Sequence, residues 1–235
     1  MARLRAVLFD AAGTLIQLRE AVGESYARAA REQGAEVAAD RLSKAFARAH
    51  AAAPSMVYPA AAAAEIAGHE RAWWREVVRE TFRIADPGGS LHDFEGCFDS
   101  LYTAFARPEA WIAEPSAHAT LRALRAQGLA TAVVSNFDGR LPRLLDGLGL
   151  TPLLDALVLP SNARAAKPDA AIFEFALARL GCAPAESVYV GDDPECDVVA
   201  ARTAGLRAID VRELATLTDL PARLGLSPMP TRESR

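Results

Sequence analysis

The sequence predicts an α/β fold: a parallel sheet with helices on both faces and an all-helical block inserted after the first strand. Three observations predict it. The apolar run Val7-Leu8-Phe9 ends abruptly in Asp10-Ala11-Ala12-Gly13-Thr14, as a buried strand does when it stops at a functional loop. From residue 18 to residue 107 the chain is rich in Ala, Arg and Glu with repeated helical periodicity. After Pro108, β-branched runs alternate with helical ones, the pattern that builds parallel sheets.

Taken in order, residues 4–9 form the first strand. Residues 20–33 read as a helix that Gly34 ends, and Asp40 is placed to cap a second helix running to residue 51, before Pro54. Residues 60–83 read as a longer helix or a broken pair, Asp86-Pro87-Gly88-Gly89 as a turn, and residues 91–106 as a further helix. The alternating part gives helices over 116–127, 141–148, 169–180 and 195–204, and strands over 130–135, 156–159, 187–190 and 206–211. The expected division is therefore a sheet-bearing core, 1–17 and 108–220, a helical insertion, 18–107, and a loosely ordered tail, 221–235, containing Pro228 and Pro230. An insertion at this point reads as a lid over the crevice at the strand ends.

Bulk composition narrows the function classes. The chain has 235 residues, enough to bury a large core, and 51% are hydrophobic against 24% charged, which is globular composition. Lys44 and Lys167 are its lysines, and the net charge is −4, which argues against a nucleic-acid surface. The start of the chain lacks a signal-peptide core, and its apolar runs are too short to span a membrane. Cys97, Cys182 and Cys196 fit neither a disulfide framework nor a zinc site, so a reducing, cytoplasmic setting is expected. Oligomeric state is not legible.

In open α/β sheets the ligand crevice lies beyond the carboxyl ends of the strands. Asp10 would stand there. Ser135-Asn136 ends another strand, Lys167-Pro168 precedes a helix, and Gly191-Asp192-Asp193 ends a strand with Asp197 one turn on. Singly these residues read as helix caps or surface charge; together they converge on one crevice. Several carboxylates at close quarters repel one another and raise each other's pKa. A hard divalent cation held by oxygen relieves that repulsion, and Mg²⁺ is the expected one. A carboxylate is also a nucleophile towards phosphorus, forming an aspartyl-phosphate. Ser135 and neighbouring backbone N–H groups would hold phosphoryl oxygens, and Lys167 would neutralise charge that builds in the transition state.

These four motifs, in this order and with helices inserted after the first, resemble the haloacid dehalogenase superfamily over nearly the whole chain. The resemblance implies a Rossmann-like core with a helical cap. It implies that Asp10 is the nucleophile and a Mg²⁺ ligand, Asp192 a second ligand, and Asp193 or Asp197 a further partner. Ala12 would offer its backbone carbonyl to the metal. Ser135, Asn136 and Lys167 would hold the transferring group of a small phosphorylated molecule, and Thr14 would support the nucleophile loop. Within the superfamily, Ala72-Trp73-Trp74-Arg75-Glu76-Val77-Val78 and Ser135-Asn136-Phe137-Asp138-Gly139-Arg140-Leu141 look most like the subgroup of haloacid dehalogenase-like hydrolase domain-containing protein 3. Trp73 and Trp74 themselves read as packing in the cap core.

One departure stands out. Phosphatases of this superfamily carry an aspartate two residues after the nucleophile, where it protonates the leaving oxygen and then activates water. Here that residue is Ala12. Losing a positioned acid–base group costs about 10²–10⁴ in rate, roughly 3–5 kcal/mol of barrier. Three readings follow. The first is a phosphohydrolase for good leaving groups, or one whose proton comes from substrate or from His50, His69, His92, Glu20 or Glu24. The second is carbon–halogen or phosphonatase-like cleavage. Asp192 opposes the haloacid form, since L-2-haloacid dehalogenases lack a metal-binding aspartate there. The phosphonatase form needs a cap lysine, for which Lys44, set among ordinary helix formers, is the sole sequence candidate. The third is a catalytically weak protein that binds Mg²⁺ and phosphate, or a protein partner.

Overall fold

The computed structural model describes residues 2–226. In chain order the elements are β1 (Ala6–Phe9), β2 (Ile16–Leu18), α1 (Val22–Glu32), α2 (Ala39–Ala52), α3 (Ala63–Ala85), α4 (Phe94–Phe105), β3 (Trp111–Ala113), α5 (Ala117–Ala126), β4 (Ala130–Val134), α6 (Leu141–Gly147), β5 (Ala156–Val158), α7 (Pro160–Ala163), α8 (Ala170–Leu180), β6 (Ser187–Gly191), α9 (Ala200–Thr203), β7 (Arg207–Asp210) and α10 (Leu220–Arg223). The chain divides into two compact units. One takes the chain up to residue 17, residues 113–137 and residues from 148 on; the other takes 18–112 and 138–147.

The first unit is the α/β part. Five strands lie in the order β5-β4-β1-β6-β7, every adjacent pair parallel. Phe9 is level with Val133 on one side and Val190 on the other, so Asp10, Ser135 and Asp192 leave the sheet at one edge. All four β1 residues are buried, as the unbroken apolar run requires of a central strand. One face of the sheet packs Leu8, Val134 and Tyr189 against Ile172, Phe173 and Leu177 of α8 and Ala201 of α9. Helix α5 packs on β4. Asp169 caps α8 by accepting from the Ala171 N–H at 3.0 Å, and Gly181, at φ 61°, ends it.

The second unit is helical. Tyr26, Leu42, Val78, Phe82, Cys97, Phe98 and Leu101, drawn from α1 to α4, share one apolar core. Ala-rich sequence with few β-branched residues favours these helices, and their amphipathic faces do the rest. Asp93 caps α4 through the Gly96 N–H at 2.9 Å. Among the described residues, no helix is long and apolar enough to cross a membrane.

Several elements differ from the sequence reading. Helix α2 starts at Ala39 behind Ala38, so Asp40 lies inside its first turn and does not cap it. The boundary expected at 107/108 falls after residue 112, and residues 138–147, assigned by sequence to the core, group with the helices. The expected helix 195–204 is a π-helical turn, Pro194–Val199, followed by α9. Its wide turn arises because the Val198 N–H reaches back five residues to the Asp193 carbonyl, at 3.2 Å. Across the expected start of the loose tail at 221, residues 220–223 form α10, with Leu220, the last residue assigned to the core, buried; residues 227–235 lie outside the described residues.

Candidate active site

The nucleophile loop is held by its own backbone. The Asp10 N–H donates to the Val190 carbonyl at 2.9 Å. The Ala11 carbonyl then accepts from the N–H groups of Leu15 and Ile16, each at 2.9 Å, and the Gly13 N–H returns to the Ile16 carbonyl. Gly13 has φ 92°, and a Cβ there would lie 2.5 Å from the Asp192 carboxylate. Only glycine lets this loop pass so close to the end of β6. Gly191 meets the same limit, because its Cβ would lie 2.3 Å from Asp197 Oδ2.

Four charged groups meet at the sheet edge. The buried Lys167 Nζ donates to Asp10 Oδ1 at 2.8 Å and to Asp197 Oδ1 at 2.5 Å. Asp10, Asp192 and Asp197 each offer an oxygen within 4.8 Å of the others. Burial works against the Lys167 charge, but Asp10 and Asp197 outweigh it and hold the ammonium above its ordinary pKa. Burial, followed by the charges of Asp10 and Asp197, pushes the Asp192 carboxyl up. The Thr14 hydroxyl lies 3.4 Å from Asp192 Oδ1, a long contact that supports it. Three hard oxygen donors close together, two of them paired with a single ammonium, form a set that a divalent cation fits.

The remaining predicted residues take more specific places. Asp197 Oδ2 accepts from the N–H groups of Asp192 and Asp193, at 3.1 and 3.0 Å, so it shapes the loop that presents Asp192. Asp193 is exposed and caps the π-helical turn through the N–H groups of Glu195 and Cys196. The Asn136 carboxamide spans the Lys167 backbone, accepting from its N–H and donating to its carbonyl, both at 2.8 Å. Ser135 is buried at the end of β4, where its Oγ lies 3.4 Å from the Phe137 N–H. Of the alternative proton sources, Glu20 is held by Arg28 and Ser25, which lower its carboxyl pKa. Lys44 is exposed and pairs with Asp40 at 3.5 Å.

Sequence reasoning missed Tyr189. Its hydroxyl accepts from Lys167 Nζ at 2.9 Å and lies 2.8 Å from the Val134 carbonyl and 3.0 Å from Asp197 Oδ1. The available signal was a tyrosine in a fully buried strand, whose hydroxyl must find partners inside.

The tryptophan motif of the helical insertion meets Asp138, Gly139 and Arg140 within the second unit. Trp74 Nε1 donates to Asp138 Oδ2 at 2.5 Å, and Arg140 grips both oxygens of Asp138 at 2.6 and 2.9 Å. The Arg140 guanidinium lies over the Tyr102 and Trp74 rings. Glu70 accepts from the Gly139 N–H at 3.0 Å. Trp73 instead donates to the Pro54 carbonyl; both tryptophans are half-buried, and Trp74 packs against the helical core.

The sequence profile of the haloacid dehalogenase-like hydrolases matches residues 4–205. The chain belongs to the haloacid dehalogenase-like hydrolase family. It is 34% identical over 239 residues to haloacid dehalogenase-like hydrolase domain-containing protein 3 of Danio rerio, covering 94% of this chain and 96% of that one. Phosphoserine phosphatase of Thermus thermophilus is 40% identical over 96 residues, covering 40% of this chain and 39% of its own. A solved structure described as a dehalogenase superposes with a TM-score of 0.70 at 26% identity, covering 95% of this chain and 98% of its own. This haloacid dehalogenase-like hydrolase thus has relatives named for phosphatase and for dehalogenase chemistry, and its parallel sheet flanked by helices superposes on the solved dehalogenase structure.

Proposed function

We propose that this hydrolase is a Mg²⁺-dependent phosphatase that works through an aspartyl-phosphate on Asp10, on a small phosphorylated molecule with a good leaving group. The observation that carries the reading is the carboxylate set of Asp10, Asp192 and Asp197, with one ammonium paired to Asp10 and Asp197. That set has an excess of negative charge and the oxygen chemistry Mg²⁺ takes. Asp10, Asp192 and the Ala12 carbonyl would hold the ion, with Asp197 fixing their loop. Bound there, Mg²⁺ supplies charge neutralisation for the phosphoryl oxygens.

The chain's own groups do the rest. An Asp10 oxygen attacks phosphorus; the Oδ–P bond forms as the bond to the leaving oxygen breaks. Lys167 steadies Asp10 and offsets charge at the transferring group, and Ser135 faces that group from the end of β4. Water then attacks phosphorus, the Oδ–P bond breaks, and inorganic phosphate leaves carrying the proton of the attacking water, with the carboxylate restored. Ala12 can neither give the leaving oxygen a proton nor take one from water. In the step that phosphorylates Asp10, acyl phosphates, aryl phosphates and anhydrides tolerate the missing proton donor because their leaving groups are stable as anions; hydrolysis of the aspartyl-phosphate then runs without a general base for every substrate. The three free cysteines accord with the reducing, cytoplasmic setting this reading assumes.

Ala12 also favours a second reading, carbon–halogen cleavage, since halide departs without a proton. The test sets the readings side by side. Acetyl phosphate turnover should require Mg²⁺ and vanish in Asp10→Asn, and Ala12→Asp should add turnover of alkyl phosphates by about 10²–10⁴. Turnover indifferent to EDTA would sink the phosphatase reading, and chloride release from 2-chloropropionate would establish the second. Silence towards every activated phosphate and halide would leave a binding protein.

A further inference from the structure

Lys167 has three N–H donors, and all three are engaged: by Asp10 Oδ1, Asp197 Oδ1 and the Tyr189 hydroxyl. The first two partners are carboxylates; the third is a neutral hydroxyl that lies 3.0 Å from Asp197 Oδ1. Tyr189 is fully buried on β6, and its ring packs edge-on against Phe173 at 5.1 Å. Its neighbour across the β1–β6 pairing is Leu8, and its hydroxyl reaches past β1 to the Val134 carbonyl of β4, one residue before Ser135. A hydroxyl carries one proton, so while it accepts from Lys167 it donates to either Val134 or Asp197. One oxygen atom thereby ties together the ammonium, the Asp197 carboxylate and the strand end that presents Ser135.

We propose that Tyr189 is a positioning residue of this site: its hydroxyl sets where the Lys167 ammonium stands relative to Asp10. The role in catalysis rests on the phosphatase reading above; the role in placing Lys167 does not. Without the hydroxyl, the ammonium is fixed by the two carboxylates alone and one of its donors faces an apolar ring. The consequence for turnover falls on the step in which charge builds, not on substrate capture.

Two lysines in the whole chain make a direct readout simple. In protein labelled with ¹⁵N-lysine, the Lys167 ammonium should give one slowly exchanging signal, with Lys44→Arg confirming the assignment. Tyr189→Phe, which keeps the ring, should shift that signal and speed its exchange. With acetyl phosphate and Mg²⁺, the same variant should lose about ten- to a hundredfold in kcat, the scale of one hydrogen bond to a charged group, with KM within about twofold of wild type. Phe173→Leu loosens the same ring and keeps the hydroxyl; it should lower the melting temperature yet leave kcat within about twofold of wild type. An unchanged Lys167 signal in Tyr189→Phe overturns the proposal. So does a shifted signal with unchanged kcat, an effect on KM alone, or an equal loss of kcat in Phe173→Leu. Wild type that turns over no phosphate, yet shows the slow ammonium signal lost in Tyr189→Phe, would refute the phosphatase reading and sustain the placement of Lys167.

Discussion

Replacing Lys167 by methionine keeps an unbranched side chain one atom shorter and deletes its charge. The ammonium sits 2.8 Å from Asp10 and 2.5 Å from Asp197, and its side chain is 4% exposed. At an effective dielectric of about 20 each contact is worth roughly 6 kcal/mol of attraction. Burying an ammonium and its partners costs several kcal/mol per ion, so most of that attraction is already offset. What the variant leaves behind is the larger effect: Asp10, Asp192 and Asp197 within 4.8 Å of one another and no cation from the protein. Removing one partner of a buried pair costs about 3–5 kcal/mol. For a chain of this size that lowers the melting temperature by roughly 6–20 °C. The deficit should depend on pH. In the variant the crowded Asp192 and Asp197 carboxyls keep their protons to higher pH in the folded than in the unfolded state, so the folded state binds the extra protons. Stability is then lost as pH rises through those raised values, and the gap from wild type is widest at alkaline pH and narrows on acidification. Mg²⁺ should narrow it too, because a cation that binds only the folded state stabilises it by about 2.7 kcal/mol at a hundred times its Kd. Calorimetry of both proteins at pH 5 and pH 8, in EDTA and in Mg²⁺, reads all of this. Melting within about 2 °C of wild type at pH 8 in EDTA would contradict the electrostatic account, as would a gap that widens on acidification.

Two predictions concern the helical unit. Asp138→Ala should cost about 3–5 kcal/mol in urea unfolding, because it strands the Arg140 guanidinium and the Trp74 N–H around a carboxylate that is 0% exposed. Asp138→Asn, which keeps an acceptor for Trp74, should cost less, and a loss under about 1 kcal/mol in the alanine variant would mean that the contacts are idle. Glu70→Gln should stabilise the protein at neutral pH, since burial, with Asp138 adding to it, raises the Glu70 carboxyl above its ordinary value. Wild type loses that stability as pH rises from the unfolded pKa through the raised folded one, so the difference between the proteins should shrink as pH falls towards about 4.5 and be flat at alkaline pH. A glutamine variant less stable than wild type at pH 7 would show that the Gly139 contact needs the charge.

Periodicity and strand ends made the sheet legible, and with it the edge where Asp10, Ser135 and Asp192 emerge, because a buried central strand has no choice but an apolar run and parallel strands share their carboxyl ends. Residue roles within the edge were less legible. Asp193 and Asp197 look alike in sequence, but the π-helical turn carries Asp197 inward to Lys167 and leaves Asp193 exposed as a cap. An i→i+5 turn has no sequence period that would announce it. Asn136 looks like a ligand to substrate until its carboxamide is seen bridging the Lys167 backbone, a contact across 31 residues. Residues 138–147 read as core by their place in the alternation, whereas the Asp138–Trp74 bond, across 64 residues, draws them to the helices. The strands Ile16–Leu18 and Trp111–Ala113 are three residues each, too short for alternation to register.

Ala12 matters because the rest of the loop does not depend on it. The turn is closed by backbone bonds from Gly13, Leu15 and Ile16, and the charged cluster is assembled by Lys167, Tyr189 and the loop N–H groups. None of these contacts uses the side chain at position 12. An alanine here therefore removes proton transfer without loosening the nucleophile, unlike loss of Lys167, which disturbs both charge and placement. That separability sets the expected selectivity. The barrier to phosphorylating Asp10 rises by about 3–5 kcal/mol for a leaving group that must be protonated, and hardly at all for one that departs as a stable anion, while hydrolysis of the common aspartyl-phosphate is slowed equally for both. A site built this way discriminates among phosphate compounds by leaving-group acidity, using an absent group instead of a contact.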